Sequence, residues 1–467
     1  MSKSILILFL SIGLVNCQLN QDIFLLDSSS ENSGSVNYKT LSFSNNSEST
    51  SSILSRVFNE LVSPAWTLEG HCDSREGDIT VSGDIDSPVV INCPESGDFS
   101  LEINYSSVSP FFDDTVQKGL RRKLSVTQGS TTMDTYVFKT VSTKTVYVVN
   151  TKAELNTAFA DTSAQIIFGS DMDFSDGGAS PTNNWMAFVF FYGSIEGNDH
   201  VISNMHIDTD WYGCLFYYTN GGSYTNLSFQ NIHLETAVWG VASTYIGALV
   251  CNASGAYIEN VNVSGTIVSN DSDTAVGGLA GYLTSTTVKR SHVDVQVTGM
   301  AYSTGGLAAG GNKVDISEVS TKGSINMSLG FVGGFFGVDG DGSVTTTSIS
   351  NSYSQMDLTG ASSLGGLIGR LTSEGFSISN AYSSGNVVGV SGQPVGPILG
   401  TDFVGSHTIN NVFYNGNVSC TNCANSIGTS KTSTELMSEN TFMGWDFGTP
   451  LWQIVESVSF PTLVDEN

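Results

Sequence analysis

The sequence predicts an all-β solenoid built from stacked copies of a unit near 30 residues long. Three observations predict it. The first is a recurring Gly-Gly-apolar unit: Gly-Gly-Leu-Ala-Gly at 277–281, Gly-Gly-Leu-Ala at 305–308, Gly-Gly-Phe-Phe-Gly at 333–337 and Gly-Gly-Leu-Ile-Gly at 365–369. Degenerate copies stand at 213–216, 247–250 and 396–400. Their first apolar residues, Leu215, Leu249, Leu279, Leu307, Phe335, Leu367 and Ile398, lie 34, 30, 28, 28, 32 and 31 residues apart. A sustained period of this size marks units that bury a face only by stacking on one another.

The second observation is a register. Ile258, Val288, Ile316, Ile349, Ile378 and Ile409 are each followed nine positions later by an apolar residue: Ile267, Val297, Ile325, Leu358, Val387 and Val418. Seven positions on come Gly265, Gly323, Gly385 and Gly416, with Val295 and Met356 as exceptions. Two positions on come Asn260, Asn351, Asn380 and Asn411, with Arg290 and Glu318 as exceptions; Asn204 and Asn226 fit this slot upstream. Apolar slots recurring once per rung form inward columns. Glycine marks positive φ or close backbone approach. Asparagine serves either as a stacked amide ladder or as a turn residue. Seven rungs stacked at strand spacing make a rod about 34 Å long.

Composition is the third. The 467 residues include 50 Gly and only 13% charged side chains, which suits strands and turns more than helices. Hydrophobic residues at 40% exclude global disorder. With 17 Lys plus Arg against 44 Asp plus Glu, the formal charge is −27. Such a chain repels phosphate backbones, so nucleic acid is excluded as a partner class. The acidity serves solubility rather than cation binding, because no ligand cluster is well formed.

Taken in order, residues 1–17 read as a secretory signal, with Lys3, an apolar run at 5–15 and a cleavage site at 15–17. Acylation of Cys17 is the weaker reading, since Asn16 stands where a smaller residue is usual. No other apolar run is long enough to span a membrane. Residues 18–63 read as a polar, Ser-rich arm with one apolar run at 23–26 and a short helix over 53–61. Residues 64–140 read as a small β module, with strands at 78–82 and 89–93. The basic cluster Arg121, Arg122 and Lys123 is a solvated loop or, less readily, a processing site. Residues 141–207 read as the solenoid's N-terminal cap, with a helix from Lys152 to Phe159 capped by Thr151. The repeats occupy 208–416. Residues 417–467 read as the C-terminal cap: a helix capped by Ser433 or Thr434, then Phe442, Trp445, Phe447 and Trp452 covering the last rung, rather than a sugar-stacking platform.

An exported chain with an even number of cysteines suggests disulfides, with Cys72–Cys93, Cys214–Cys251 and Cys420–Cys423 as the expected pairs. A redox or metal role for Cys420 and Cys423 lacks a second pair or a thioredoxin-like context. Asn-x-Ser sequons stand at Asn45, Asn104, Asn226, Asn252, Asn262, Asn270, Asn326 and Asn417, and some carry glycans if the organism is eukaryotic.

The Gly-Gly-Leu-x-Gly units followed by Ile-x-Asn-x-Tyr-x-x-Gly-x-Val resemble GLUG-motif repeats, found in bacterial adhesins, IgA-specific metallopeptidases and secreted protist proteins. The segment Glu-Gly-Asn-Asp-His-Val-Ile-Ser-Asn at 196–204 and the ending around Trp445, Trp452 and Pro461 are similar to the segments that flank such repeats. The resemblance covers about residues 145–467. It implies a right-handed parallel β-helix-like solenoid of about seven rungs with terminal caps, in an extracellular protein, and it implies no activity.

Chemistry is sparse. His71, His200, His206, His233, His292 and His407 form no His-Glu-x-x-His. His200 reads as a hydrogen-bonder in a turn. A glycosidase needs two carboxylates at a set separation, and no repeat inserts a clustered Asp, His and Lys or Arg. Asp173, Asp176, Asp208 and Asp210 lie in turns, and the repeats hold only Glu259, Asp294, Asp315, Glu318, Asp357 and Glu374. Asp339 and Asp341 offer a partial calcium loop that lacks the later Glu. No phosphate loop or dinucleotide fingerprint occurs. The expectation is therefore a non-enzymatic exported solenoid without cofactor, acting in adhesion or in an extracellular coat, matrix or fibre. Its partners would be copies of itself, surface or matrix proteins, or glycans. The alternative is a polysaccharide hydrolase or lyase, or a sugar-binding protein.

Overall fold

Each turn of the repeat region contributes three or four β runs, and each run pairs in parallel with the equivalent run one turn away. The fold comes from a computed structural model, which describes residues 40–44, 47–110, 119–175, 185, 189–209, 212–236, 245–340, 346–360, 362–405, 407–418, 420–421, 423, 427–448 and 451–466. The signal segment, the run at 23–26, Asn45, Asp176, Asp210 and Asp341 lie outside the described residues. Two sheets hold seven strands each, one from Tyr212–Gly213 to Val395–Gly396 and one from Phe216–Asn220 to Leu399–Asp402. The third, longest sheet carries Ser194–Ser203, Ser223–Thr236, Tyr257–Asn270, His292–Met300, Ser320–Met327, Ser348–Gly360, Phe376–Ser383 and His407–Asn415.

The expected columns stack as the spacing predicts. Leu215, Leu249, Leu279, Leu307, Phe335, Leu367 and Ile398 are all fully buried. Their backbones bond rung to rung, as from Leu279 N to Leu307 O at 2.9 Å and from Phe335 N to Leu367 O at 2.8 Å. Ile258, Val288, Ile316, Ile349, Ile378 and Ile409 pair in unbroken succession. The Gly-Gly doublet owes its identity to close approach. A Cβ on Gly365 would collide with the carbonyl of Ile368, and one on Gly366 with the carbonyl of Pro397 and the hydroxyl of Ser383.

The asparagine slot serves both of the roles open to it. Asn260, Asn351, Asn380 and Asn411 have φ between 47° and 53°, the left-handed region that asparagine tolerates better than other non-glycine residues. Their amides also form rungs of a ladder: Asn260 donates to Asn226 at 2.9 Å, Asn380 to Asn351 at 3.2 Å and Asn411 to Asn380 at 3.3 Å. Arg290 (φ 43°) and Glu318 (φ 61°) keep the bend without the ladder.

Several expectations need correction. Asn204 belongs to another corner, where it accepts a bond from Asn231; Asn198 and Asp199 take the left-handed bend in its rung. Val418 misses the inward slot, because Val387 pairs with Cys420 and the register slips by two residues at the last rung. Parallel stacking begins inside the segment read as a cap, where Val146–Val149 pairs with Gln165–Phe168. The helix Lys152–Ala158 is capped by Thr151 as expected. In place of a helix over 53–61, the helix is Thr50–Ser55, started by Ser49, and Val57–Phe58 is a strand. The C-terminal helix Ser433–Leu436 is capped by Thr432, whose hydroxyl and Glu435 form a reciprocal capping box.

The N-terminal region forms two sheets around Leu68, Ile79, Val81, Phe99, Ile103, Leu124, Val126 and Val137, antiparallel except where Val57–Phe58 pairs in parallel with Thr131–Lys139. It covers the first rung, whose strand edge would otherwise lie unpaired: Ile53, Leu120 and Phe138 pack on Ile167, Val146 and Val148. Arg121, Arg122 and Lys123 lie in the strand Arg121–Gln128, so the cluster is neither loop nor exposed cleavage site. Arg122 is buried, and Arg121 pairs with Asp199 at 2.6 Å. Its partner region also holds Glu196, a buried carboxylate that accepts from Thr225, Asn226 and Asn198 N.

Candidate functional site

The longest sheet presents one outward column whose character changes along its length. Ser228, Asn262, His292 and Ser320 occupy the early rungs, and Tyr353, Tyr382 and Phe413 the later ones. The outward residues two positions further along include Ser264, Asp294 and Lys322. Strand alternation sends these side chains away from the core while Val263, Val293 and Thr321 between them point inward.

The later half is sealed. Tyr353 and Tyr382 stack with ring centroids 4.9 Å apart and planes 2° from parallel. Trp445, Trp452, Phe442, Leu436 and Leu463 pack over them. The C-terminal aromatics therefore cover the outer face of the last rungs, beyond the end-capping role expected of them. The reason is that these rungs present a continuous aromatic stripe that water solvates poorly. Trp445 and Trp452 are buried, which removes any sugar platform there.

The early half stays open as a polar groove. One cavity of about 420 Å³ is lined by the Ser228–Ser320 column together with Ser264, Asp294, Lys322, Asp465 and Glu466. A second of about 390 Å³ adds Asp199, Asn226, Asn260 and Arg290, and shares Ser228, Asn262 and Asp465 with the first. The chain's last turn, Val464–Glu466, closes one end. Ser320 Oγ donates to Glu466 at 2.7 Å, Lys322 Nζ pairs with it at 2.8 Å, and the Tyr353 hydroxyl donates to its other oxygen. Burial, then the neighbouring Tyr382 and Glu466, push the Tyr353 phenol well above its ordinary range, so it stays a neutral donor. His292 Nδ1 lies 3.0 Å from Ser320 Oγ, and its Nε2 lies 3.6 Å from Asp465.

This grouping departs from the sequence reading. Asp294, His292 and Lys322 do come together in one groove, with two carboxylates brought from about 170 residues away in the chain. The departure from the asparagine slot at Arg290, which lines the second cavity, was the available signal. Nothing in the repeat period announces that the C-terminal segment folds back. Four of the other acids are occupied: Glu259 pairs with Arg290, Asp315 accepts from Ser348, Asp357 from Asn386, and Asp173 from Asn204 and Ser175.

The remaining candidates are dispersed. His200 bonds Asp171 at 3.0 Å, His206 stacks on His233 with centroids 5.0 Å apart, and His407 lies 3.3 Å from Asp402. Among the described residues no three His, Cys, Asp or Glu are placed to hold a metal ion together. Asp339 is fully buried in an inward column between Gly311 and Leu371. Burial pushes its carboxyl up to about 7, with Thr347 opposing. The cysteines pair as expected, with Cα separations of 6.1 Å for Cys72–Cys93, 5.6 Å for Cys214–Cys251 and 5.7 Å for Cys420–Cys423. Of the sequons, Asn104, Asn326 and Asn417 are exposed. Asn226 and Asn270 commit their amide nitrogens, to Glu196 and to Glu235 with Thr236 O; Asn252 and Asn262 are half-buried on strands.

The GLUG motif matches residues 360–388. This chain carries a GLUG repeat. In the fold that GLUG unit spans Ser363–Gly365, Ile368–Leu371, Phe376–Ser383 and Val387–Val388, one full turn of the solenoid. The structure is similar to that of a Bacteroides ovatus protein described as a candidate immunoglobulin A1 protease, with TM-score 0.44 and 18% identity over 70% of this chain and 94% of that one. It is also similar to a structure described as an IgA1 protease, with TM-score 0.37 and 15% identity over 73% of this chain and 29% of that one. No curated protein matches the chain.

Proposed function

We propose that the chain is an exported, non-enzymatic β-solenoid that acts in adhesion or as a component of an extracellular coat, matrix or fibre, with the polar groove as its contact face. One observation carries this reading. The GLUG register is spent on inward packing and corner geometry, whereas Ser228, Asn262, Ser264 and Asp294 face outward along an open groove. The signal-like N-terminus and the paired cysteines support export. No helix among the described residues is long and apolar enough to cross a membrane. Partners are other copies, surface or matrix proteins, or glycans. Where the exporting cell glycosylates, Asn104, Asn326 and Asn417 are the sites we assign, because all three are exposed.

The grouping of Asp294, Asp465 and Glu466 beside His292 favours a second reading, a carbohydrate-active enzyme. Incubating the mature protein with a panel of polysaccharides separates the two. The first reading predicts retention on one or more polymers with no new reducing ends and no unsaturated products. Clear turnover would replace it with the second.

A further inference from the structure

The two short sheets carry a second face, independent of the groove. Among the described residues of the repeats, the large apolar side chains left exposed are Met300, Tyr302, Leu329, Val390 and Phe403. The first four lie where the long sheet's strands turn into the short ones, and Phe403 directly follows the strand Leu399–Asp402. Apolar side chains gathered in this way mark a contact surface. The rings of Tyr302 and Phe331 meet edge to face, with centroids 5.6 Å apart. Arg370 lies over Phe331 and Phe403, 4.8 and 4.7 Å from their centroids. Its Nε has no hydrogen-bond partner among the described residues, whereas each of the other five arginines holds a carboxylate or a carbonyl. Aromatic rings, a methionine and an arginine short of an acceptor are what the centre of a protein interface is made of.

We propose that two copies of the chain meet on this face, antiparallel, about a two-fold axis that passes between Tyr302 and Phe331. A two-fold contact is self-complementary, so each group must find its counterpart within the same patch. The rotation exchanges the rungs on either side of the axis, and it exchanges the two flanks of the face. Ala275, Ser303 and Phe331 pair in succession, so Asp273 holds in its turn the place that Leu329 holds two rungs on. Across the crease, the outward column of the other short sheet runs Tyr282, Gly310, Val338, Arg370. Asp273 is exposed one rung before Tyr302 on the first flank, and Arg370 stands one rung beyond Phe331 on the second. The axis therefore sets the Asp273 carboxylate of each copy against the Arg370 guanidinium of the other. It sets Tyr302 against Phe331 and Met300 against Val338. It also sets Leu329 against Gly310, where the Tyr282 ring lies so close that a Cβ on the glycine would collide with it. Apolar groups meet apolar groups, and the arginine short of an acceptor meets an acid. The formal charge of −27 opposes association at long range. Salt screens that repulsion beyond about 8 Å, and the patch itself pairs one charge of each sign.

The test is sedimentation velocity of the full chain over a concentration series at physiological salt, with circular dichroism melts to confirm folding. The native chain should show a monomer–dimer equilibrium. Asp273→Arg and Arg370→Asp should each weaken the dimer about tenfold or more, because like charges are brought together. The double variant restores the pair with its signs exchanged and should recover to within about threefold of the native chain. Asp273→Arg makes the chain less negative, so an effect of net charge alone would strengthen the dimer instead. Should Arg370→Asp fail to fold, Asp273→Arg and Leu329→Glu decide, since both positions are exposed and both changes must weaken the dimer. The groove variant Ser228→Ala, Asn262→Ala and Asp294→Ala should dimerise as the native chain does, so this contact and the groove stand or fall separately. A monomer at every concentration would leave the face to some other partner and overturn the proposal. So would a dimer that either single variant leaves unchanged, a folded double variant that does not recover, or a dimer lost only in the groove variant.

Discussion

Ser228, Asn262, His292 and Ser320 occupy the same outward column as Tyr353, Tyr382 and Phe413, on the same sheet, over the same repeating core. Inside, the two halves are near copies: a Leu, Phe or Ile at the turn and an Ile or Val on the strand. Outside they differ completely. One half is polar and open, the other aromatic and covered by the chain's own C-terminal segment. The repeat fixes what points inward and leaves the outward columns free, so the outward columns are where copies of one unit can acquire different tasks.

The largest effect should come from breaking the shared interior. Phe335→Ala removes a fully buried ring from the turn column, and about 3–5 kcal/mol of stability should be lost in urea titration. Trp452→Ala attacks only the covered half. It should cost a similar amount locally, seen as protease cleavage after residue 430 while the solenoid core stays intact. Cleavage spread evenly along the chain would merge the two halves into one cooperative unit.

A pH effect of intermediate size belongs to the interior alone. The carboxyl of Asp339 sits at about 7 in the fold against its usual 3.8. Between these values the folded state holds a proton that the unfolded state releases, so stability is full below 3.8 and falls as pH rises toward 7. The slope is roughly 1.4 kcal/mol per pH unit at most. Urea midpoints at pH 5 and pH 8 should differ in the native chain, and the difference should shrink in Asp339→Asn; an unchanged difference would place the titration elsewhere.

Smaller effects test the corner and the open face. Asn380→Ala should cost about 1–2 kcal/mol, because alanine is strained at a φ of 49° and the ladder loses a member. Asn380→Gly should recover most of that loss, since glycine adopts the bend without strain. Ser228→Ala and Ser264→Ala should change stability by no more than about 0.5 kcal/mol, as surface substitutions do.

How much was legible follows the same division. The inward columns were readable because a period of about 30 residues repeats apolar identity at fixed offsets, and Leu307 or Ile316 can be placed from spacing alone. The asparagine bend was readable as a slot, and Arg290 and Glu318 confirm that the bend persists when the side chain changes. The register slip at Cys420 was not readable, because Val418 offers an equally apolar residue two positions earlier. The groove was the least legible. Asp465 and Glu466 reach His292 and Lys322 only because the aromatic segment folds back over Tyr353 and Tyr382, a tertiary event with no periodic trace. The aromatic residues themselves were visible, but not the face they would cover.

The most direct test of the open outer face as the working surface is a triple variant, Ser228→Ala, Asn262→Ala and Asp294→Ala, compared with the native chain for retention on the polysaccharide panel and for product release. The account predicts a melting temperature lowered by a few degrees at most, for the bond from His292 N that Asn262 no longer accepts, with lost retention and no products from either protein. Retention that survives in the folded variant, or products from the native chain, would contradict it.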